Sequence, residues 1–263
     1  MRAYWAFNLL GALSAVLLFV RTARRNLLQP VVILDAILAA FPLGLIFGRL
    51  FSIVLEDSEV LRGLKSMLSL GGWQTGYISF GAVFGSVAAL FLVARVHHVA
   101  FGLLMDVAAP GIFIAAALGR IGCFLNGCCY GRPTDFTWLT MKLNVVAGTT
   151  APVVRHPVQL YEAGLLLAGW VLVGRLAGRG WFYVGLGRTA LVTVGAYCTI
   201  RFVTDWFRAT ETSPTLMPGL SFTKLLSAMV AFTVIVLLVR CKGTSAASSA
   251  VIGSLNEELS DTS

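Results

Sequence analysis

An all-α, polytopic membrane bundle of about seven transmembrane helices is the fold that this sequence predicts, on three observations. First, 57% of the 263 residues are hydrophobic and only 12% are charged. A soluble domain carries about a quarter charged residues, so this chain lacks the polar surface to face water all round, and a bilayer suits it as solvent. Second, the apolar residues gather in seven runs. Third, Lys and Arg collect at the ends of those runs, where they orient helices and meet anionic head groups. The formal charge of +8 is therefore read as a membrane signature. With no lysine-rich arm and no aromatic-basic repeat, nucleic acid is not an expected partner.

The runs are Tyr4–Val20, Val31–Leu50, Tyr77–Val93, Ala100–Leu118, Val158–Val173, Trp181–Val203 and Phe222–Val239. Their lengths lie near the about 20 residues that a spanning helix needs. The first run does not read as a cleaved signal peptide, because its basic cluster, Arg21, Arg24 and Arg25, follows the apolar stretch. That cluster predicts a cytoplasmic end for the first helix. Alternate threading then puts Arg95, His97, His98, Arg175, Arg179, Arg240 and Lys242 inside, and Glu56, Asp57 and Glu59 outside. The N-terminus is expected outside and the C-terminus inside. Residues 1–240 read as one transmembrane domain and 241–263, rich in Ser and Ala, as a disordered cytoplasmic tail.

Ionisable groups within such runs are costly and tend to be functional. For Asp35 and Asp106 the expectation is pairing with arginines of neighbouring helices; Arg49 and Arg188 either pair or snorkel to an interface. Three other sets are richer. The first is Gly119-Arg-Ile-Gly-Cys-Phe-Leu-Asn-Gly-Cys-Cys-Tyr-Gly-Arg-Pro-Thr-Asp135, whose four glycines within thirteen residues, Gly119 to Gly131, let backbone approach a ligand or a helix. Irregular backbone at membrane depth must face protein or a water-filled cavity, so this segment should line a pocket. The second is His156-Pro-Val-Gln-Leu-Tyr-Glu162, with Pro157 suited to a first helical turn and Glu162 in need of a partner. The third is Tyr197, Arg201 and Asp205, spaced by four on one helical face, with Arg208 beyond. All three fall on the outer side of the expected topology. Arginines from separate helices suit an anionic head group, because guanidinium binds phosphate in a planar, bidentate way.

At these residues the sequence resembles the prolipoprotein diacylglyceryl transferase family of bacterial inner-membrane enzymes. The matching pieces are Gly119-Arg-Ile-Gly with Asn126-Gly and Gly131-Arg-Pro-Thr-Asp135, then His156-Pro-x-Gln-Leu-Tyr-Glu162, then Tyr197-x-x-x-Arg-Phe-x-x-Asp-x-Phe-Arg208. The resemblance implies transfer of a diacylglyceryl group from phosphatidylglycerol to the lipobox cysteine thiol of a prolipoprotein, with glycerol phosphate leaving. The partners would be phosphatidylglycerol, the prolipoprotein signal peptide and membrane lipids, with no cofactor and no metal. Arg120 and Arg201 would bind the phosphate and stabilise the leaving group. His156, Tyr197 and Glu162 join them as candidate catalytic residues. Asn126, Gly131, Arg132, Tyr161, Gln159, Asp205, Arg208, Cys123 and Cys128 are candidate substrate contacts.

Three positions depart from the family pattern. Cys123 stands for an asparagine, Cys128 for a glutamate, and the stretch from Ile78 to Gly85 lacks a histidine after Phe80. That leaves His156, Tyr161 or a substrate phosphate oxygen to take the acceptor thiol's proton. Cys123, Cys128 and Cys129 could form a disulfide, supply a catalytic thiol or bind a metal. Cys198 and Cys241 read as packing residues. Two rival functions remain beside the transferase: a thiol-based membrane oxidoreductase or metal-binding protein, and a non-catalytic lipid-binding paralogue on the same scaffold.

Overall fold

The computed structural model describes residues 2–56, 64, 79–135, 141–143, 153–178, 185–209, 215–217, 220–221 and 223–238. Each of the seven apolar runs holds a described helix, the sixth only from Arg188, after a turn at 185–187: α1 Arg2–Arg25, α2 Pro30–Glu56, α3 Ser79–Val96, α4 Phe101–Leu125, α5 Val158–Gly178, α6 Arg188–Asp205 and α7 Thr223–Leu238. Two short antiparallel ribbons join them, β1 Met141–Leu143 with β2 Val153–Arg155, and β3 Thr215–Met217 with β4 Leu220–Ser221. The chain is a helical, polytopic membrane protein. Among the described residues four helices are long and apolar enough to cross a bilayer, namely Ala3–Arg25, Pro30–Val54, Phe101–Leu125 and Val158–Ala177; Gly81–Val96 and Thr223–Leu238 are shorter apolar helices. Large side chains face outward, as a lipid solvent allows: Leu9, Leu13 and Leu17 lie along one face of α1, with Leu17 70% exposed.

The chain divides into two units, Met1–Ser14 with Ile112–Phe182 and Arg188–Ser263, and Ala15–Gly111 with Tyr183–Gly187. In the second unit, Phe19, Ala23, Val32, Ala36, Leu90, Val93, Leu104 and Val107 form a buried core. Gly81 and Gly85 of α3 sit directly on the Phe47 and Leu43 backbones of α2, and Ser86 Oγ donates to the Ala40 carbonyl at 3.1 Å. Small residues let the two backbones meet where no hydrophobic force separates helix from lipid.

Of the two acidic residues expected to pair with arginines, Asp35 is held by a histidine instead. Asp35 Oδ2 lies 2.8 Å from Nε2 of His97. Asp106 Oδ2 accepts the backbone N–H groups of Gly185 and Gly187 at 2.9 and 3.0 Å. Arg49 is buried rather than snorkelling.

In the first unit, Phe113, Ala117, Leu166 and Val173 make the core, with Trp170, Val192, Tyr197 and Ile200 packed against it. Gly11 of α1 lies against Ala115 of α4, and Gly122 of α4 against Phe7 and the Tyr4 carbonyl. Glycines of the 119–131 stretch thus serve helix packing as well as the site. The acidic residues Asp57 and Glu59, the basic residues Arg179, Arg240 and Lys242, Cys241, the start of the Ile78 stretch and the tail at 241–263 lie outside the described residues.

Candidate functional site

The helix α4 runs seven residues past the expected end at Leu118, because Gly119 to Leu125 stay helical. Arg120 and Cys123 are therefore helix residues, and the irregular backbone starts only at Asn126. There the chain makes a Schellman C-cap: Gly127 N–H donates to the Phe124 carbonyl and Cys128 N–H to the Cys123 carbonyl, each at 3.1 Å. Gly127 sits at φ 68°, the left-handed conformation this motif requires. The cap folds Cys128 back over the last turn, where its thiol faces the Cys123 carbonyl.

The next residues are clasped on both sides. Gly131 N–H donates to the His156 carbonyl at 2.9 Å, His156 N–H to the Arg132 carbonyl at 3.2 Å, and Arg132 N–H to the Phe207 carbonyl at 3.0 Å. Residues 130–134 thus lie between the strand-like segment ending at His156 and the end of α6. A Cβ on Gly131 would stand 2.7 Å from His156 Cβ and from the carbonyl oxygens of His156 and Phe207. Only glycine fits. Arg155, buried at 3%, supports the clasp: Nη1 donates to the Gly131 carbonyl at 3.3 Å, and its guanidinium stacks 4.7 Å from the Tyr130 ring centroid.

One turn into α5, Glu162 is 2% exposed and holds two arginines. Arg120 Nε from α4 is 3.0 Å from Oε1, and Arg201 Nη1 from α6 is 3.1 Å from Oε2. Arg201 Nη2 also reaches Asp205 Oδ1 at 3.5 Å, one turn on. Arg208 Nη1 is 4.0 Å from the same oxygen, and Thr223 Oγ1 donates to Oδ2 at 3.0 Å. Among the described residues, three guanidiniums face two carboxylates, one surplus positive charge. Burial raises its effective strength, because the local dielectric is low.

Two smaller groups flank the network. Gln159 Nε2 donates to the Cys128 carbonyl at 2.6 Å, tying α5 to the loop. The sulfurs of Cys123, Cys128 and Cys129 all lie within 4.8 Å of one another, and all three are free thiols. Cys129 adopts φ 59°, uncommon for a residue with a Cβ. The neighbouring Cys123 and Cys128 thiols, with Arg120 and Arg201 in electrostatic reach, hold its thiol below the ordinary value. On the other flank, His156 Nδ1 is 3.2 Å from the Tyr161 hydroxyl, and Phe207 packs edge-on against both rings. Partial burial, with Arg132 adding, pushes the His156 imidazole below its usual value, so it is neutral near pH 7.

Arg120, Glu162, Arg201, Asp205 and Arg208 thus meet in one network, with Gln159, Cys123 and Cys128 at its edge and Gly131, His156 and Tyr161 beside the clasp. Tyr197 packs on the unit's core next to them. Arg132 does not converge; it is exposed and donates to the Trp206 carbonyl. Reading the sequence missed Arg155 and Thr223. A lone arginine closing the apolar Ala151-Pro-Val-Val154 stretch could have flagged the first; nothing local marks the second.

A family model described as prolipoprotein diacylglyceryl transferase matches residues 1–240. Among relatives, the phosphatidylglycerol–prolipoprotein diacylglyceryl transferase 2 of Streptomyces coelicolor is 33% identical over 80% of this chain and 67% of its own length. The Geobacter sulfurreducens protein of the same description, without the numeral, is 29% identical over 83% of this chain and 82% of its own. That of Dehalococcoides mccartyi is 36% identical, but the match covers 51% of this chain and 50% of that protein, so the chain spans about half the length of that relative.

Proposed function

The chain belongs to the prolipoprotein diacylglyceryl transferase family, and from that premise we propose that it moves a diacylglyceryl group from phosphatidylglycerol to the lipobox cysteine thiol of a prolipoprotein, releasing glycerol phosphate. The observation that carries the reading is the meeting of Arg120 and Arg201 on Glu162 from three helices. The carboxylate pre-positions both guanidiniums, and the surplus positive charge of the network suits the phosphate diester. As the C–O bond to the glyceryl carbon breaks, charge grows on the departing phosphate, where fixed arginines act most strongly. Tyr197 and the Gly131 clasp shape the walls of the site; Asn126, Gln159, Asp205 and Arg208 hold the loop and the arginines in place. His156, neutral and hydrogen-bonded to Tyr161, is available to take the acceptor thiol's proton. The reading places the protein in the bacterial inner membrane with its N-terminus and this site on the outer side.

Complementation of a transferase-depleted strain tests this. Wild type restores lipoprotein maturation. Arg120→Lys and Arg201→Lys keep the charge but lose the bidentate fork; they should reach the membrane normally yet transfer about a hundredfold more slowly. Full complementation by both would reject the proposal.

A further inference from the structure

We propose that Cys123, Cys128 and Cys129 form a zinc site whose open fourth position takes the thiol of the acceptor protein; the inference rests on the transferase reading above. The three sulfurs come from the last turn of α4, from its Schellman cap and from the residue after it, and all lie within 4.8 Å of one another. Zinc–thiolate bonds of about 2.3 Å place tetrahedral sulfurs about 3.8 Å apart. Side-chain rotation of under an ångström closes that gap. The backbone is already committed: Gly127 at φ 68° and Cys129 at φ 59° hold two consecutive cysteines on the same side as Cys123, at a cost in strain. Gln159 clamps the loop from α5.

Among the described residues no histidine or carboxylate joins the group. Three protein ligands and a vacant position are the pattern of catalytic rather than structural zinc. Charge agrees. Three thiolates and a divalent ion carry one negative charge, next to the surplus positive charge of the arginine network. Arg120 and Arg201 lie in electrostatic reach of Cys129.

The chemistry balances. The acceptor R–SH displaces zinc-bound water and gives up its proton, for which His156 is the acceptor, because a coordinated thiol is deprotonated outright. The thiolate lone pair then attacks the glyceryl carbon of phosphatidylglycerol. A C–S bond forms, the C–O bond breaks, and glycerol phosphate leaves with the electron pair. The thioether product, a weaker ligand than thiolate, is released to water. This supplies the thiol activation that a histidine after Phe80 would otherwise give.

The full chain in detergent micelles, stripped with a chelator, is titrated with Zn(II) and, in parallel, with Co(II) as a spectroscopic probe. One ion per chain should bind, with thiolate-to-cobalt charge-transfer absorption. Cys123→Ser, Cys128→Ser and Cys129→Ser should each weaken binding at least about tenfold, while Cys198→Ser should not. A synthetic lipobox peptide with a single cysteine should intensify the charge-transfer band, and its serine analogue should not. No bound ion, or two thiols lost to a disulfide, overturns the site. An equal spectral response to the serine peptide overturns the open position. Full-rate transfer by the zinc-free chain overturns the role of the metal and leaves the transferase reading standing. Zinc and thiol binding with no transfer from phosphatidylglycerol does the reverse.

Discussion

Nη1 of Arg201 stands 3.1 Å from Oε2 of Glu162, across two helices and with both side chains buried. Since Arg120 occupies the other carboxylate oxygen, Glu162 is, among the described residues, the anion these two guanidiniums share. Removing it takes the carboxylate from Arg120 and leaves Arg201 with Asp205. Glu162→Ala should therefore cost about 3–5 kcal/mol, read as a lowered unfolding temperature in detergent. Glu162→Gln, which keeps the shape and one acceptor, should lose less.

Gly131 fails as any other residue for steric reasons. A Cβ would press on one side chain and two carbonyls at 2.7 Å, and two of these are backbone. Gly131→Ala should destabilise by about 1–3 kcal/mol and separate His156 from the loop. Thermal unfolding and a transfer assay on the same preparation check both effects.

Gly127 is needed for its backbone angle rather than for space. Gly127→Asn, which tolerates the left-handed region, should be nearly neutral, whereas Gly127→Val should cost about 1–2 kcal/mol. The valine variant should also release Cys128 from the Cys123 carbonyl. Alkylation of the cluster thiols would then quicken, as mass spectrometry of modified peptides can follow.

His156 predicts a pH limb. Its imidazole is held below the ordinary value of about 6.5 by burial and by Arg132. The unfolded chain therefore binds the proton more readily than the folded one. Stability from the neutral ring is complete above pH 6.5 or so and falls as pH drops through that value. Unfolding temperature measured from pH 8 to pH 5 should decline at the acid end, and His156→Gln should flatten that limb.

Much of this was legible in the residues themselves. All seven apolar runs hold a helix among the described residues, since a bilayer leaves the backbone no partner but itself. The need of Glu162 for a partner was legible too, as was the shared face of Arg201 and Asp205, which are 3.5 Å apart. The end of α4 was misjudged by seven residues, because polar residues inside the last turns looked like loop. Asp35 found a histidine in place of an arginine; either would satisfy a carboxylate, and distance alone chooses between them.

By itself, then, the sequence determined the membrane class, the helices and the residue types able to hold an anion, because those follow from hydropathy and from side-chain chemistry. The tertiary structure alone decided that Arg120 and Arg201 meet on one carboxylate, that Gly131 admits no side chain, and that three cysteines come within 4.8 Å. Such contacts depend on how helices distant in sequence pack and on where one cap turns the chain, which no local pattern encodes.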